Sequence, residues 1–223
     1  MYFCDMLSFT EENYLKALLH LTIEIEHKNE AGTNELASYL GVKPATATDM
    51  LKKLKEKQLI AYEKYGKISL SDTGRKKAIE ILRKHRLWET FLYEKLDFTW
   101  DEVHEVAEQL EHIHSQKLVD RLDKFLGFPE YDPHGDAIPN ASGELKSAFK
   151  KTLSEVPEGT ECRMVAVKDN TVSFLKYVSQ LELGINAHIR VVSKQPYDGS
   201  MEILIEEKKI MVSQKFAENI LIV

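Results

Sequence analysis

Apolar residues recur at helical spacing through the first half of the chain and in short, strand-like runs through its last third. Ser8-Phe-Thr-Glu11 has the form of a capping box, whose hydroxyl and carboxylate satisfy the first free amides of a helix. Behind it Tyr14, Leu15, Leu18, Leu19, Leu21 and Ile25 mark one amphipathic helix to about His27. Lys28 to Gly32 breaks that pattern. Thr33 can cap a short second helix holding Leu36, Ala37 and Leu40, and Gly41 supplies the permissive residue at its sharp end. A third helix opens at Pro44, which has no amide hydrogen to leave unsatisfied. Its Ala47, Leu51 and Leu54 form an inward stripe, with Thr46, Thr48, Asp49, Lys52 and Lys53 on the other faces.

Two helices joined by a glycine turn, the second with a polar outer face, make the helix-turn-helix pattern, whose second helix fits the major groove of DNA. Leu59 to Leu70 then predicts two short strands around a tight turn at Tyr65-Gly66, a wing beside that unit. A long helix follows Gly74, with Ala78, Ile79, Leu82, Leu87, Phe91 and Leu92 apolar, running to about Lys95. Thr99 caps a further helix over Glu102 to Ser115, and Lys117 to Leu126 is amphipathic, its Leu118, Val119, Leu122, Phe125 and Leu126 forming a core or subunit interface. Residues 127 to 143 hold three of the six prolines and three of the ten glycines, the composition of an extended loop or linker.

From about Gly159 the runs become β-rich: Cys162 to Val167, Thr171 to Phe174, Ala187 to Val192, Met201 to Ile205, Lys209 to Val212 and Asn219 to Val223, with one helix over Leu175 to Gly184. Five or six short strands in so few residues predict a small SH3-like barrel. The expected fold is therefore mainly α with a small β domain. Its expected parts are a winged helix-turn-helix at 1–74, a helical domain at 75–142, a linker at 143–156 and the β-barrel at 157–223.

Chemistry concentrates in Glu102 to Ser115. On a helix turning about 100° per residue, His104, Glu108, Glu111 and His112 fall at roughly 0°, 40°, −20° and 80°, so four potential ligands share one face. Such a stripe, taken alone, usually just faces water. His85 and Glu89 form a second i, i+4 pair on the preceding helix, a spacing that a surface ion pair also satisfies.

Charge changes the picture. The net charge is −6, yet residues 43–86 carry 13 Lys and Arg against 5 acids, a local +8 that leaves −14 for the rest. A basic winged helix followed by an acidic segment suggests polyanion binding first and cation binding after it. On the DNA side the expected contacts are Lys43, Pro44, Ala45, Thr46, Thr48 and Asp49 near the start of the third helix, with Lys52 and Lys53 at the phosphate backbone. The two cysteines, Cys4 and Cys162, are too far apart for a zinc motif and read as reduced thiols. No apolar run approaches the roughly 20 residues that span a bilayer, and the N-terminus lacks a signal-peptide pattern. A cytoplasmic protein without a membrane partner is expected.

Several segments together resemble one family. Thr10-Glu-Glu-Asn-Tyr-Leu15, Arg83-Lys-His-Arg-Leu-Trp-Glu89, Val103 to His112 and Pro133-His-Gly-Asp-Ala-Ile-Pro139 are similar to the first helix, the histidine helix, the ligand helix and the proline segment of the diphtheria-toxin-repressor family, which includes iron- and manganese-responsive branches. Residues after 157 look like that family's SH3-like, FeoA-type domain. The resemblance implies a homodimeric, metal-dependent transcriptional regulator, a repressor of metal-uptake genes that binds a double-stranded DNA operator, with no small organic ligand. It implies one metal site around Glu108, Glu111 and His112 and a neighbouring one around His85, Glu89 and His104, for two ions per subunit. Where relatives place a methionine or aspartate ligand on the first helix, this chain has Asn13, whose carbonyl oxygen can bind directly or through water, and Lys16 replaces a glutamate of some manganese regulators. Oxygen-rich ligation with some imidazole suits Mn²⁺ or Fe²⁺ and modestly favours manganese.

Two other readings stay open at this point. One is a winged-helix DNA-binding protein indifferent to metal. The other is a carboxylate-bridged metalloenzyme, although His104-Glu-Val-Ala-Glu108 stops short of H-E-x-x-H and only Glu111-His-Ile-His114 supplies a Glu-x-x-His.

Overall fold

The computed structural model describes residues 7–25, 29–62, 66–145 and 151–223. It divides into two compact units, one of residues 1–85, 109–115 and 139–144, the other of residues 86–108, 116–138 and 145–223.

In the first unit, α1 (Phe9–Leu19) starts at the expected box: Ser8 Oγ accepts the Glu11 amide at 3.3 Å, and Glu11 Oε2 accepts the Ser8 amide at 2.8 Å. A wider π-turn, His20–Ile25, extends it. After it come β1 (Ala31–Gly32), α2 (Thr33–Tyr39), α3 (Pro44–Glu56), β2 (Ile60–Tyr62), β3 (Lys67–Leu70) and the first part of α4 (Asp72–Lys95), whose residues from Arg86 on belong to the second unit. The core of this unit is leucine-rich, with Leu15 and Leu18 of α1 packed among Leu36 of α2 and Leu51 and Leu54 of α3. Each fully buried leucine contributes about 1.5–3 kcal/mol, so α1 and the helix-turn-helix hold each other in place. Lys57, just beyond α3, bonds back to Glu11 at 2.7 Å. The wing gains a strand that the alternation did not reveal: Ala31 pairs with Ile68, giving the order β1-β3-β2. Two residues are too few to show a period. The expected wing turn at Tyr65 lies outside the described residues, as does Cys4.

The second unit contains α6 (Gln116–Phe125), β4 (Lys151–Thr152), β5 (Glu161–Val167), α7 (Val172–Gln180), β6 (His188–Lys194), β7 (Met201–Ile205), β8 (Lys208–Val212), α8 (Gln214–Asn219) and β9 (Ile220–Ile222). Its antiparallel sheet has the order β4-β9-β5-β6-β7-β8, bent by irregularities at Met164/Ala166 and Val191/Ser193. The strand expected over Thr171 to Phe174 is instead the start of α7, because Val172, Leu175 and Val178 continue a helical stripe, of which Leu175 and Val178 are buried. Cys162 is a buried free thiol, and burial pushes its pKa up to about 11.

The loop 131–138 is clamped onto β5. Asp132 Oδ1 accepts the amides of His134 at 2.8 Å and Asp136 at 3.0 Å, closing a turn on its own backbone. The Val167 amide then donates to the His134 carbonyl at 3.1 Å. At Gly135, with φ +82°, an added Cβ would lie 1.8 Å from the Val165 carbonyl oxygen. Gly127, after α6, has a similar φ of +77° but open space around it.

These two glycines give a paired prediction. Gly127→Ala should lose only the conformational term, about 1–2 kcal/mol, whereas Gly135→Ala should lose roughly 1–3 kcal/mol more from the forced clash. Thermal or denaturant unfolding of the full chain checks the difference; equal losses would show that the loop does not seat as described.

Candidate metal centre

The expected continuous helix over Glu102 to Ser115 is shorter in the structure. α5 spans Val103–Leu110, and the chain then tightens, with the Ile113 amide donating to the Leu110 carbonyl at 3.1 Å. His104 and Glu108 therefore sit on the helix, and Glu111 and His112 in the turn beyond it. The single four-ligand helix face is corrected. The physical reason is that Glu111 and His112 are buried against charged partners that an exposed helix face would not offer.

Those partners belong to the first unit. Glu111 is fully buried, and its Oε2 accepts both His85 Nδ1 at 2.6 Å and Lys16 Nζ at 2.8 Å. Burial alone would raise the Glu111 pKa; the His85 hydrogen bond and the Lys16 charge more than offset it, so the carboxyl is held below its ordinary value. His112 donates Nδ1–H to Glu12 Oε2 at 2.5 Å and stacks on Phe9 with ring centroids 4.4 Å apart. His114 Nε2 is 3.7 Å from the other Glu12 oxygen. Asn13 is on the same helix as Glu12 and Lys16.

Two buried acceptors of the first unit, Glu111 Oε1 and Asn13 Oδ1, have no hydrogen-bond donor among the described residues. Such orphaned oxygens are costly without a positive partner. The donor set of carboxylate, amide oxygen and imidazole fits a hard to borderline divalent ion. Glu12 was not singled out by sequence reasoning. Its only signal was a position next to Asn13, in a first helical turn where acidic residues are ordinary.

The second unit assembles a different cluster. Glu89 is buried, with Oε1 3.2 Å from His104 Nδ1 and Oε2 3.8 Å from His134 Nδ1. His104 is half exposed, and its Nε2 lies 3.6 Å from Glu108. Glu89, Asp132 and His134 each offer a ligand atom within 4.8 Å of the others, and all three are buried. His134 donates Nε2–H to the Trp100 carbonyl at 2.8 Å, which turns Nδ1 toward the acids. Sequence reasoning noticed the Pro133-His-Gly segment but gave neither Asp132 nor His134 a role; an Asp-x-His step in a loop has no helical spacing to reveal its partner.

Burial disfavours the His134 imidazolium, yet Glu89 and Asp132 carry its pKa up to about 9. Asp132 rises to about 7 through burial and the charges of Asp136 and Glu89, against the opposing guanidinium of Arg86 at 3.5 Å. The expected nucleic-acid contacts lie in the first unit. Lys43, Pro44, Ala45, Thr46, Asp49, Lys52 and Lys53 are exposed; Thr48 is half-buried and donates its hydroxyl to the Pro44 carbonyl at 2.9 Å, while Lys52 pairs with Asp49 at 3.0 Å.

The His134 shift sets a pH dependence for the metal-free protein. Because its folded pKa exceeds the ordinary 6.5, its stabilisation is complete below that value and is lost as pH rises through about 9. At about 1.4 kcal/mol per unit, the loss has an upper bound of about 3.5 kcal/mol. Denaturant titrations at pH 6 to 10 should show wild type losing more stability across the alkaline limb than His134→Gln does.

Comparison with known proteins agrees with this architecture. Residues 6–68 match the model of the iron dependent repressor N-terminal DNA binding domain, residues 71–140 that of the iron dependent repressor metal binding and dimerisation domain, and residues 151–223 the FeoA domain. A "Probable metal transport system membrane protein" of Chlamydia trachomatis is 33% identical over 138 residues, 60% of this chain and 30% of that protein, so the chain spans under a third of the length of that relative. The transcriptional regulator MntR of Bacillus velezensis is 30% identical over 141 residues, 63% of this chain and 92% of that one. A solved manganese-dependent transcriptional repressor in complex with manganese superposes with a TM-score of 0.84 at 31% identity, covering 96% of this chain and 99% of the other. With a DNA-binding domain, a metal-binding and dimerisation domain and a FeoA domain in that order, the chain belongs to the diphtheria-toxin-repressor (MntR-type) family of metal-dependent transcriptional regulators.

Proposed function

We propose that this protein is a cytoplasmic, homodimeric regulator, not an enzyme, that binds a double-stranded DNA operator when Mn²⁺ or Fe²⁺ is bound and represses genes for metal uptake. The observation that carries this reading is the buried Glu111 carboxylate, whose Oε1 accepts no hydrogen bond among the described residues, in the same unit as the helix-turn-helix. Glu111, His112, Asn13 and Glu12 are the residues that would hold an ion there, with His85 orienting Glu111 through its Nδ1–H. A second ion would be held by Glu89, His134 and Asp132, with His104 and Glu108 nearby. A divalent ion supplies concentrated positive charge that mutually repelling acids can share.

The protein's own residues supply the linkage. Glu12 and Asn13 are on α1, His85 on α4 and Glu111 and His112 in the turn after α5, so drawing them together fixes α1, on which α2 and α3 pack. An ordered helix-turn-helix meets DNA without bearing the ordering cost at that step. Lys43, Lys52 and Lys53 would meet phosphates, while Pro44, Ala45, Thr46, Thr48 and Asp49 would face base edges. For dimerisation, Tyr93 and Leu96 at the end of α4, Leu118 and Phe125 of α6 and the following Phe128 are large apolar groups left exposed in one protomer. Manganese is favoured over iron by the oxygen-rich donor set.

A DNA duplex selected from random sequence in the presence of Mn²⁺ provides the probe. Binding in chelator should be at least about tenfold weaker than with added Mn²⁺ or Fe²⁺, and Glu111→Ala and His112→Ala should abolish the metal response. Equal binding with and without metal would overturn the reading. On the DNA side, Lys53→Ala should weaken binding to all sequences and reduce the slope of log affinity against log salt by about 1.

A further inference from the structure

Lys16 occupies an unexpected place for a basic residue. It is 16% exposed and sits on a carboxylate with no exposure, at 2.8 Å, on the same Glu111 oxygen that accepts from His85. Two positively polarised donors therefore saturate Oε2 while Oε1 has no donor among the described residues. Other charged or titratable groups bear on this spot: Glu12 with His112 and His114 from α1 and the turn, and Lys84 from α4, whose ammonium feels Glu12, Glu111 and Glu80.

We propose that Lys16 is a built-in competitor of the divalent ion at Glu111, which sets the metal concentration at which the protein responds. The inference rests on the metal-regulator reading above. An ammonium ion within hydrogen-bond distance of a buried carboxylate already supplies the positive charge that the acid requires. A metal arriving at Glu111 must displace that ammonium or bind in its field, and either reduces the gain from binding. Lysine suits the role because its charge rides on a flexible four-carbon stem and can move to water without unfolding anything around it. Without Lys16 the metal-free state would hold a buried acid with one partner fewer, and the bound state would keep its cation, so the balance must shift toward the bound state.

The test uses the full chain and Mn²⁺ alone, with affinity and stoichiometry read by electron paramagnetic resonance of free Mn²⁺ and by calorimetry, and stability read by thermal unfolding with and without the ion. Lys16→Met, similar in shape and uncharged, should bind Mn²⁺ at least about tenfold more tightly than wild type and show a larger rise in Tm on adding the ion. Lys16→Arg, which keeps the charge, should bind no more tightly than wild type. Lys16→Gln, also uncharged, gives the same reading should Lys16→Met not fold. Wild-type affinity in the uncharged variants would overturn the proposal while leaving the metal site standing. Failure of the site itself has a different signature: Glu111→Ala would then bind Mn²⁺ as wild type does.

Discussion

A carboxylate removed from water must be neutralised, hydrogen-bonded or protonated, since an unpaired buried charge costs several kcal/mol. Glu111 meets that constraint by staying ionised between His85 and Lys16. Much of the first unit follows from it. α1 must present a base in its second turn, α4 must present an imidazole at His85, and α5 must end at Leu110 so that the chain can turn the acid inward. The same turn carries His112 to Glu12, so two acid–imidazole pairs lie side by side on consecutive residues.

The second cluster solves a related problem with different means. Glu89 comes from a helix, but Asp132 and His134 come from a loop that fixes its own shape through the Asp132 turn, the tight seat of Gly135 and a backbone bond to β5. Placement of these loop side chains thus depends on the FeoA-type sheet, and the Trp100 indole adds a bond to the Leu175 carbonyl of α7 at 3.3 Å. The β domain is therefore part of the framework behind His134 as well as a module following it in sequence.

How much of this was legible beforehand varied with the kind of contact. Period and capping located α1, α3, α4 and most strands, because Ser8/Glu11, Pro44 and the leucine stripes act within a few residues of themselves. Helical spacing singled out six candidate ligands, and the family resemblance supplied the order of domains, gave those residues their metal roles and added Asn13. The two units distribute those seven: Asn13, His85, Glu111 and His112 in one, Glu89, His104 and Glu108 in the other. Missed were Glu12, Asp132 and His134, each of which has its role only through a partner tens of residues away. The helix end at Leu110 was missed for the same reason: helical spacing continues through Ser115, but the burial of Glu111 decides otherwise. Lys16 was noticed as a substitution, and only the structure joins it to Glu111.

One short stretch of α1 has a mechanical consequence. Glu11 closes the cap at Ser8 and grips Lys57 at the far end of the recognition helix, while its neighbour Glu12 faces His112. Successive side chains on a helix point about 100° apart, so one turn of backbone reaches toward the DNA reader with one carboxylate and toward the sensor with the next. A rotation of α1 by even a fraction of a turn cannot adjust one grip without loosening the other. The first helix thus ties the end of the DNA-reading helix and the turn at His112 to two adjacent acids on one short stretch of backbone.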